Sequence, residues 1–281
     1  TKITAPDIAA GDLFGHSVGI SGDYAIVGAY GDDGEADNNF SSGSVYIYRR
    51  TGTNAWDDVS KIYAPDGALH DYFGVSVAID GDYAVVGASG EDPNGDDSGS
   101  AYVLRRTGTN AWDSVTRIIA PDGDRVDRFG GAVAISGDYV IVAAALDDDS
   151  GANSGSAYIF RRIGPNAWDS GTKIVASDGA FTDYFGTSVA ITGDYAIVGA
   201  RYDDDNGEDS GSAYIFRRTG LNAWDSGFKI DATDGAAGDM FGWSVAIAED
   251  LAVVGAWRNS DDGEDSGSAY IYRRTGPETW D

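Results

Sequence analysis

The chain has 281 residues, 46 acidic and 19 basic side chains, and a formal charge of −27. With no cysteine it has neither disulfides nor thiolate metal sites. Its acidity argues against a nucleic-acid partner, which needs a basic face. Hydrophobic residues make up 42% of the chain, enough for a sizeable core and too many for general disorder. There is no apolar run of about 18 residues, so no membrane insertion by helix is expected. The opening TKITAPDIAA lacks the charged-then-apolar layout of a signal peptide. Of the acids, 40 are Asp and 6 are Glu. Asp prefers turns and oxygen-ligand loops, so this excess points to an all-β protein with many acidic loops.

The elements recur in chain order. The dipeptide FG stands at Phe14, Phe73, Phe129, Phe185 and Phe241, spaced by 59 residues and then by 56 three times. The consensus unit begins with KI and a DG turn, continues through FGxSVAI and a GD turn into YAIVGA, and crosses an acidic loop. It ends in SAYIFRR and NAWD. SVAI and YAIVGA are apolar runs bounded by turns, SAYIFRR alternates, and the KI segment after WD reads as a weaker fourth strand. Four short strands per unit, with aromatic and glycine marks in each, predict a β-propeller of five blades of four antiparallel strands over residues 1–281. The last unit stops short of its KI strand, and an extra one, Lys2–Thr4, opens the chain. The expectation is one closed domain in which that N-terminal strand completes the last blade and removes the exposed edge.

The pattern FGxSVAI…GDYAIVGA resembles the FG-GAP repeat of integrin α-subunit heads and of many bacterial and archaeal surface proteins. The resemblance spans nearly the whole chain and implies a propeller with an extracellular binding role. Integrin-like repeats bind calcium in a DxDxDG loop between the FG and GA strands. Here that connection is the bare turn Ser21–Tyr24, so that site does not carry over.

Carboxylates crowd the next loop instead. DDDNGEDSG places Asp203, Asp204, Asp205, Glu208 and Asp209 within seven residues. Calcium takes six to eight oxygens from a flexible loop, with glycine at the sharp turn. The candidate ligands are Asp203, Asp205 and Asp209 around Gly207, Asp147, Asp149 and Asn153 around Gly151, and Asn259, Asp261 and Asp265 around Gly263. The second loop, with Glu91, Pro93 and Asp97, is one ligand short; the first, with Asp32, Asp33 and Asp37, is distorted by an insertion. The alternative is that these residues bond only to their own turns. The same reading makes caps of Asp12, Asp71, Asp127, Asp183 and Asp239, the acids before each FG, and packing residues of the WD tryptophans. The arginine pairs, such as Arg217–Arg218, are expected to balance the acidic loops or stack on tryptophan.

Function is sought where the repeat breaks. The residue after FG is His16, Val75, Gly131, Thr187 or Trp243; the residue after GA is Tyr30, Ser89, Ala145, Arg201 or Trp257. With the first and last blades adjacent, His16, Tyr30, Trp243 and Trp257 would form one aromatic patch beside Arg201 and Arg258. Such a patch suits a protein hot spot or a sugar platform. Two non-equivalent histidines, no nucleophile or phosphate motif, and inner strands without a unique acid argue against an enzyme. The expectation is a monomeric recognition or adhesion module, extracellular or at the cell surface, binding a protein and stiffened by calcium. The alternatives are a lectin-like propeller and a structural spacer.

Overall fold

The alternating runs of each repeat become antiparallel strands in the computed structural model, which describes residues 1–33, 41–57 and 59–281 and the backbone alone of Asp113 and Ser114. Asp37, a candidate ligand of the first loop, lies outside the described residues. In the first repeat β1 (Val18–Ser21), β2 (Tyr24–Ala29), β3 (Ser44–Gly52) and β4 (Ala55–Trp56) stand side by side, and β5 (Ser60–Ile62) also pairs with β3. The fourth position of the sheet is therefore shared by the WD and KI segments, which are one continuous strand, Ala111–Ile118, in the second repeat. Five such sheets follow one another, all-β, with no helix among the described residues. The GD turn works because Gly22 adopts φ +55°, a region open to glycine.

The chain divides into two compact units, one of residues 1–138 with 162–169 and the other of residues 139–161 with 170–281. In the first, Tyr24, Ile26, Val45 and Ile47 of the first sheet pack against Phe73, Val77, Ile79, Ala84 and Val86 of the second repeat. In the other, Tyr195, Ile197 and Ile215 pack against Phe241, Ala252, Val254 and Trp280. Phe73, Phe129, Phe185 and Phe241 are fully buried.

Backbone contacts hold each such phenylalanine. The amides of Phe73, Phe129, Phe185 and Phe241 donate to Ser42, Ser98, Ser154 and Ser210 carbonyls at 2.9–3.0 Å. Each also bridges in parallel with the glycine after that serine, Gly43, Gly99, Gly155 or Gly211. A methyl group on any of these glycines would lie 2.1 Å from the phenylalanine carbonyl oxygen.

A second joint explains the GDY and WD marks. Trp112 meets Tyr24 edge-on, Trp168 meets Tyr83, Trp224 meets Tyr139 and Trp280 meets Tyr195, at 5.9–6.3 Å. Arg106, Arg162, Arg218 and Arg274 lie over the same tyrosines at 4.1–4.6 Å. Arg106, Arg162 and Arg218 also ion-pair with the turn residues Asp82, Asp138 and Asp194. These arginines thus serve the GD turns and tyrosines rather than the acidic loops or the tryptophans.

Lys2–Thr4, expected to complete the last sheet, is not a strand. Its place is set by side-chain bonds to the first repeat: Thr1 Oγ1 donates to the Asn54 carbonyl, and Tyr48 donates to that of Thr4. The fifth sheet has four strands, its last being the short Thr279–Trp280.

The glycine joint gives a direct expectation. Gly211→Ala combines a backbone clash with φ +78° and should cost at least about 3 kcal/mol in denaturant unfolding. Gly22→Ala, with open space around it, should cost about 1 kcal/mol.

Candidate functional site

The acid before FG behaves as a cap in every repeat. Asp12, Asp71, Asp127, Asp183 and Asp239 are buried, and each carboxylate accepts the amide three residues earlier, from Ala9, Ala68, Asp124, Ala180 and Ala236, at 2.6–2.9 Å. Burial pushes Asp71 and Asp183 up to about 6; the cap bond opposes this, and nearby Glu91 and Asp203 respectively reinforce it.

The acidic loop has two functional halves. In the fourth repeat Asp203 is 3% exposed. Its carboxylate accepts from Tyr214 Oη at 3.0 Å and from Lys229 Nζ at 2.9 Å. Lys229 also donates to Asp178 at 2.9 Å and Asp205 at 2.5 Å. The metal-capable group in this loop is therefore Asp178, Asp203 and Asp205, whose ligand oxygens lie within 4.8 Å of one another, with a lysine ammonium donating to all three. Asp209 faces a different task. At φ +56° its amide donates to Asp204, so it terminates the turn and does not join the cluster.

Register explains why a cation arrives there. Lys229 is cross-strand from Tyr214, as Lys61 is from Tyr46, Arg117 from Tyr102 and Lys173 from Tyr158. Lys61 pairs with Asp7 and Asp32 at 2.7 Å, and Arg117 with Asp66 and Glu91 at 2.8 and 2.7 Å. Lys173 pairs with Asp147 at 2.9 Å and with Asp149. Burial works against the charge of Lys229, but bonds to Asp205, Asp203 and Asp178 outweigh it and raise its pKa. Asp178 is held below the ordinary range because the Lys229 and Tyr214 bonds overcome its own desolvation.

The fifth repeat meets the same demand differently. Asn259, 1% exposed, stands where the fourth has Asp203. Its amide nitrogen donates to Asp239 at 3.1 Å and to Asp261 and Tyr270 at 3.4 Å. A neutral donor thus replaces the buried carboxylate. Asn153 and Asp265, both at positive φ, donate their amides to Asp148 and Ser260, and they too end turns.

The variable positions form two aromatic groups, one in each unit. In the first, His16 meets Tyr30 at 4.6 Å, Tyr30 meets Tyr72 at 5.9 Å, and His70 stacks on Tyr72. In the other, Trp243 and Trp257 lie 4.9 Å apart at 39° and are 37% and 44% exposed. Arg201 lies over Trp243, Tyr202 and Tyr184 at 4.6, 4.7 and 5.6 Å. Arg258 lies over Trp257 at 4.9 Å, and Trp257 Nε1 points to Met240 Sδ at 3.2 Å.

Asp178, Lys229, Tyr184 and Tyr202 were not nominated from sequence. Asp178 belongs to the DG mark and Lys229 to the KI mark, each repeated in register but read as turn and strand. Tyr184 fills a third variable position, the residue before FG, which reads Leu13, Tyr72, Arg128, Tyr184 and Met240 and has φ of +54° to +58° throughout.

Sheets of four antiparallel strands, joined through buried FG phenylalanines, define a propeller-like repeat protein with varied residues at loop positions. The chain belongs to the FG-GAP repeat family: that family's repeat matches residues 1–48, 56–104, 112–160, 168–216 and 224–272. Comparison with curated proteins gave no match.

The caps set a pH dependence. A carboxyl with a raised native pKa binds its proton more tightly when folded, so Asp71 and Asp183 add stability as pH falls from 7 toward 4, on the order of 2 kcal/mol each. Asp7, Asp57, Asp66 and Asp178, held low, withdraw stability only below about pH 4. Thermal melts should therefore peak near pH 5, and Asp183→Asn should flatten the fall between pH 5 and 7.

Proposed function

We propose that the chain is a recognition or adhesion module of an extracellular or cell-surface protein, its sheets acting as the blades of a β-propeller and its variable loop positions binding a protein partner. The observation that carries this reading is the contrast between repeated joints and unrepeated aromatic residues: Arg201, Trp243 and Trp257 converge in the second unit and leave both indoles partly exposed. Aromatic rings and arginine are the side chains that dominate binding hot spots. No catalytic role is assigned. A lectin-like role is the second reading, favoured by the two exposed indole rings, which suit stacking against a pyranose.

The test is binding of the labelled chain to arrays of extracellular protein domains and of glycans. Selective retention on the protein array that the paired Trp243→Ala and Trp257→Ala substitutions reduce at least tenfold, without changing the melt, is the expected result. Retention on glycans alone would favour the lectin reading, and retention on neither array would overturn recognition.

Calcium is expected from the sequence to stiffen the acidic loops, and the donor set there is already engaged by side chains. We infer that Lys61, Arg117, Lys173 and Lys229 take the part of the ion in the first four repeats, each bonding the buried acid at the start of the loop. A calcium ion held by Asp178, Asp203 and Asp205 would require Lys229 to withdraw. After chelation, calcium should raise the melting temperature no more than sodium chloride of equal ionic strength. Lys229→Met should cost about 3 kcal/mol, because Asp203 is left buried and unpaired, and should make the melt calcium-responsive. A calcium-specific rise in the unaltered chain, abolished by Asp203→Ala with Asp205→Ala, would restore the metal.

A further inference from the structure

Arg201 stands outside the ion pairs that recur from repeat to repeat. Arg50, Arg106, Arg162 and Arg218 each pair with the Asp of a GD turn, and Lys61, Arg117, Lys173 and Lys229 each pair with a loop acid. Arg201 has no ion pair and no side-chain hydrogen bond among the described residues, and its Nε is buried without a partner. It is held instead by the faces of Trp243, Tyr202 and Tyr184. The equivalent residues are Tyr30, Ser89, Ala145 and Trp257, so the joints between repeats do not demand a cation here. A guanidinium packed on rings keeps its planar fork in one orientation, and that fork matches a carboxylate through two parallel hydrogen bonds.

We propose that the second unit's aromatic group binds a carboxylated pyranose, with the ring stacked on the Trp243–Trp257 pair and the carboxylate on Arg201. This inference rests on the lectin-like reading and names its ligand class. The indoles supply flat apolar surface, tilted by 39° and more than one-third exposed, which a sugar's C–H face covers and a lone acidic side chain does not need. The flanking chain excludes a denser anion. Asp204 and Asp205 come soon after Tyr202, and Asp261 and Asp262 soon after Arg258, all four exposed. A polyanionic peptide would meet these acids, whereas a sugar carries its one charge at a single point. Arg258, over Trp257, holds a second cation on the far ring and softens the local repulsion.

The probes are methyl glucuronide and methyl galacturonide, with methyl glucoside as the neutral control and a glutamate-rich peptide as the acidic control. Binding is read by tryptophan fluorescence and by nuclear magnetic resonance titration. The expected result is binding of at least one uronide at least tenfold tighter than the glucoside. Arg201→Met should abolish that preference, Arg201→Lys should restore only part of it, and Trp243→Ala should weaken both sugars. A circular dichroism melt checks that each variant is folded, and Arg258→Gln provides a variant that leaves Arg201 in place. Equal binding of uronide and glucoside would overturn the carboxylate inference and leave the lectin reading standing. Binding of the peptide without either sugar would overturn both in favour of a protein ligand. Binding of no probe would overturn the inference alone if the glycan array still retains the chain, and both if it does not.

Discussion

The structure depends on one close approach of backbone to backbone. Where the FG phenylalanine of one repeat bridges to the SG glycine of the repeat before it, the chains lie too near for any side chain. This contact buries the phenylalanine, aligns the following inner strand and fixes the spacing at which everything else repeats. The tyrosine, tryptophan and arginine joint at the other end of the sheets completes the attachment. Hydrophobic burial supplies most of the driving force, but it does not by itself choose a register; the glycine contact does.

A second constraint follows from the chain's charge. Each repeat buries an acidic or amide group beside a tyrosine hydroxyl at the start of its acidic loop. An ionised carboxylate at that depth needs a partner. In four repeats a lysine or arginine on the KI strand reaches it across the sheet, and in the fifth asparagine takes the carboxylate's place. The outer carboxylates remain solvated, where mutual repulsion is weaker and salt screens it. The buried acid or amide at the root of each loop is thus matched by a partner, while the loop tips keep their charge in solvent.

Much of this was legible in the sequence. The period, the strand runs and the turn glycines gave the sheets, and the regular recurrence of the acid before FG marked it correctly as a cap. What failed to show was pairing across strands. Lys229 and Asp178 are 51 residues apart, and only the register of Lys229 against Tyr214 brings them together. The loop spacing suggested Asp209 as a ligand beside Asp203 and Asp205; its amide ends the turn on Asp204, and the acid found within reach of those two is Asp178. Likewise Lys2–Thr4 carries the marks of a strand, but strand pairing needs a partner edge, and side-chain bonds to the first repeat place it without one.

The residue before each FG occupies the left-handed region in all five repeats although none is glycine. The hydrogen bonds on either side impose that conformation, so its strain is carried by the scaffold and is nearly independent of the side chain. Leucine, tyrosine, arginine and methionine are all accepted there. Such a position can change its chemistry without renegotiating the fold, and five of them recur at one register. This backbone is therefore suited to divergence: duplication copies the frame, and substitutions at these sites can give each copy a different surface.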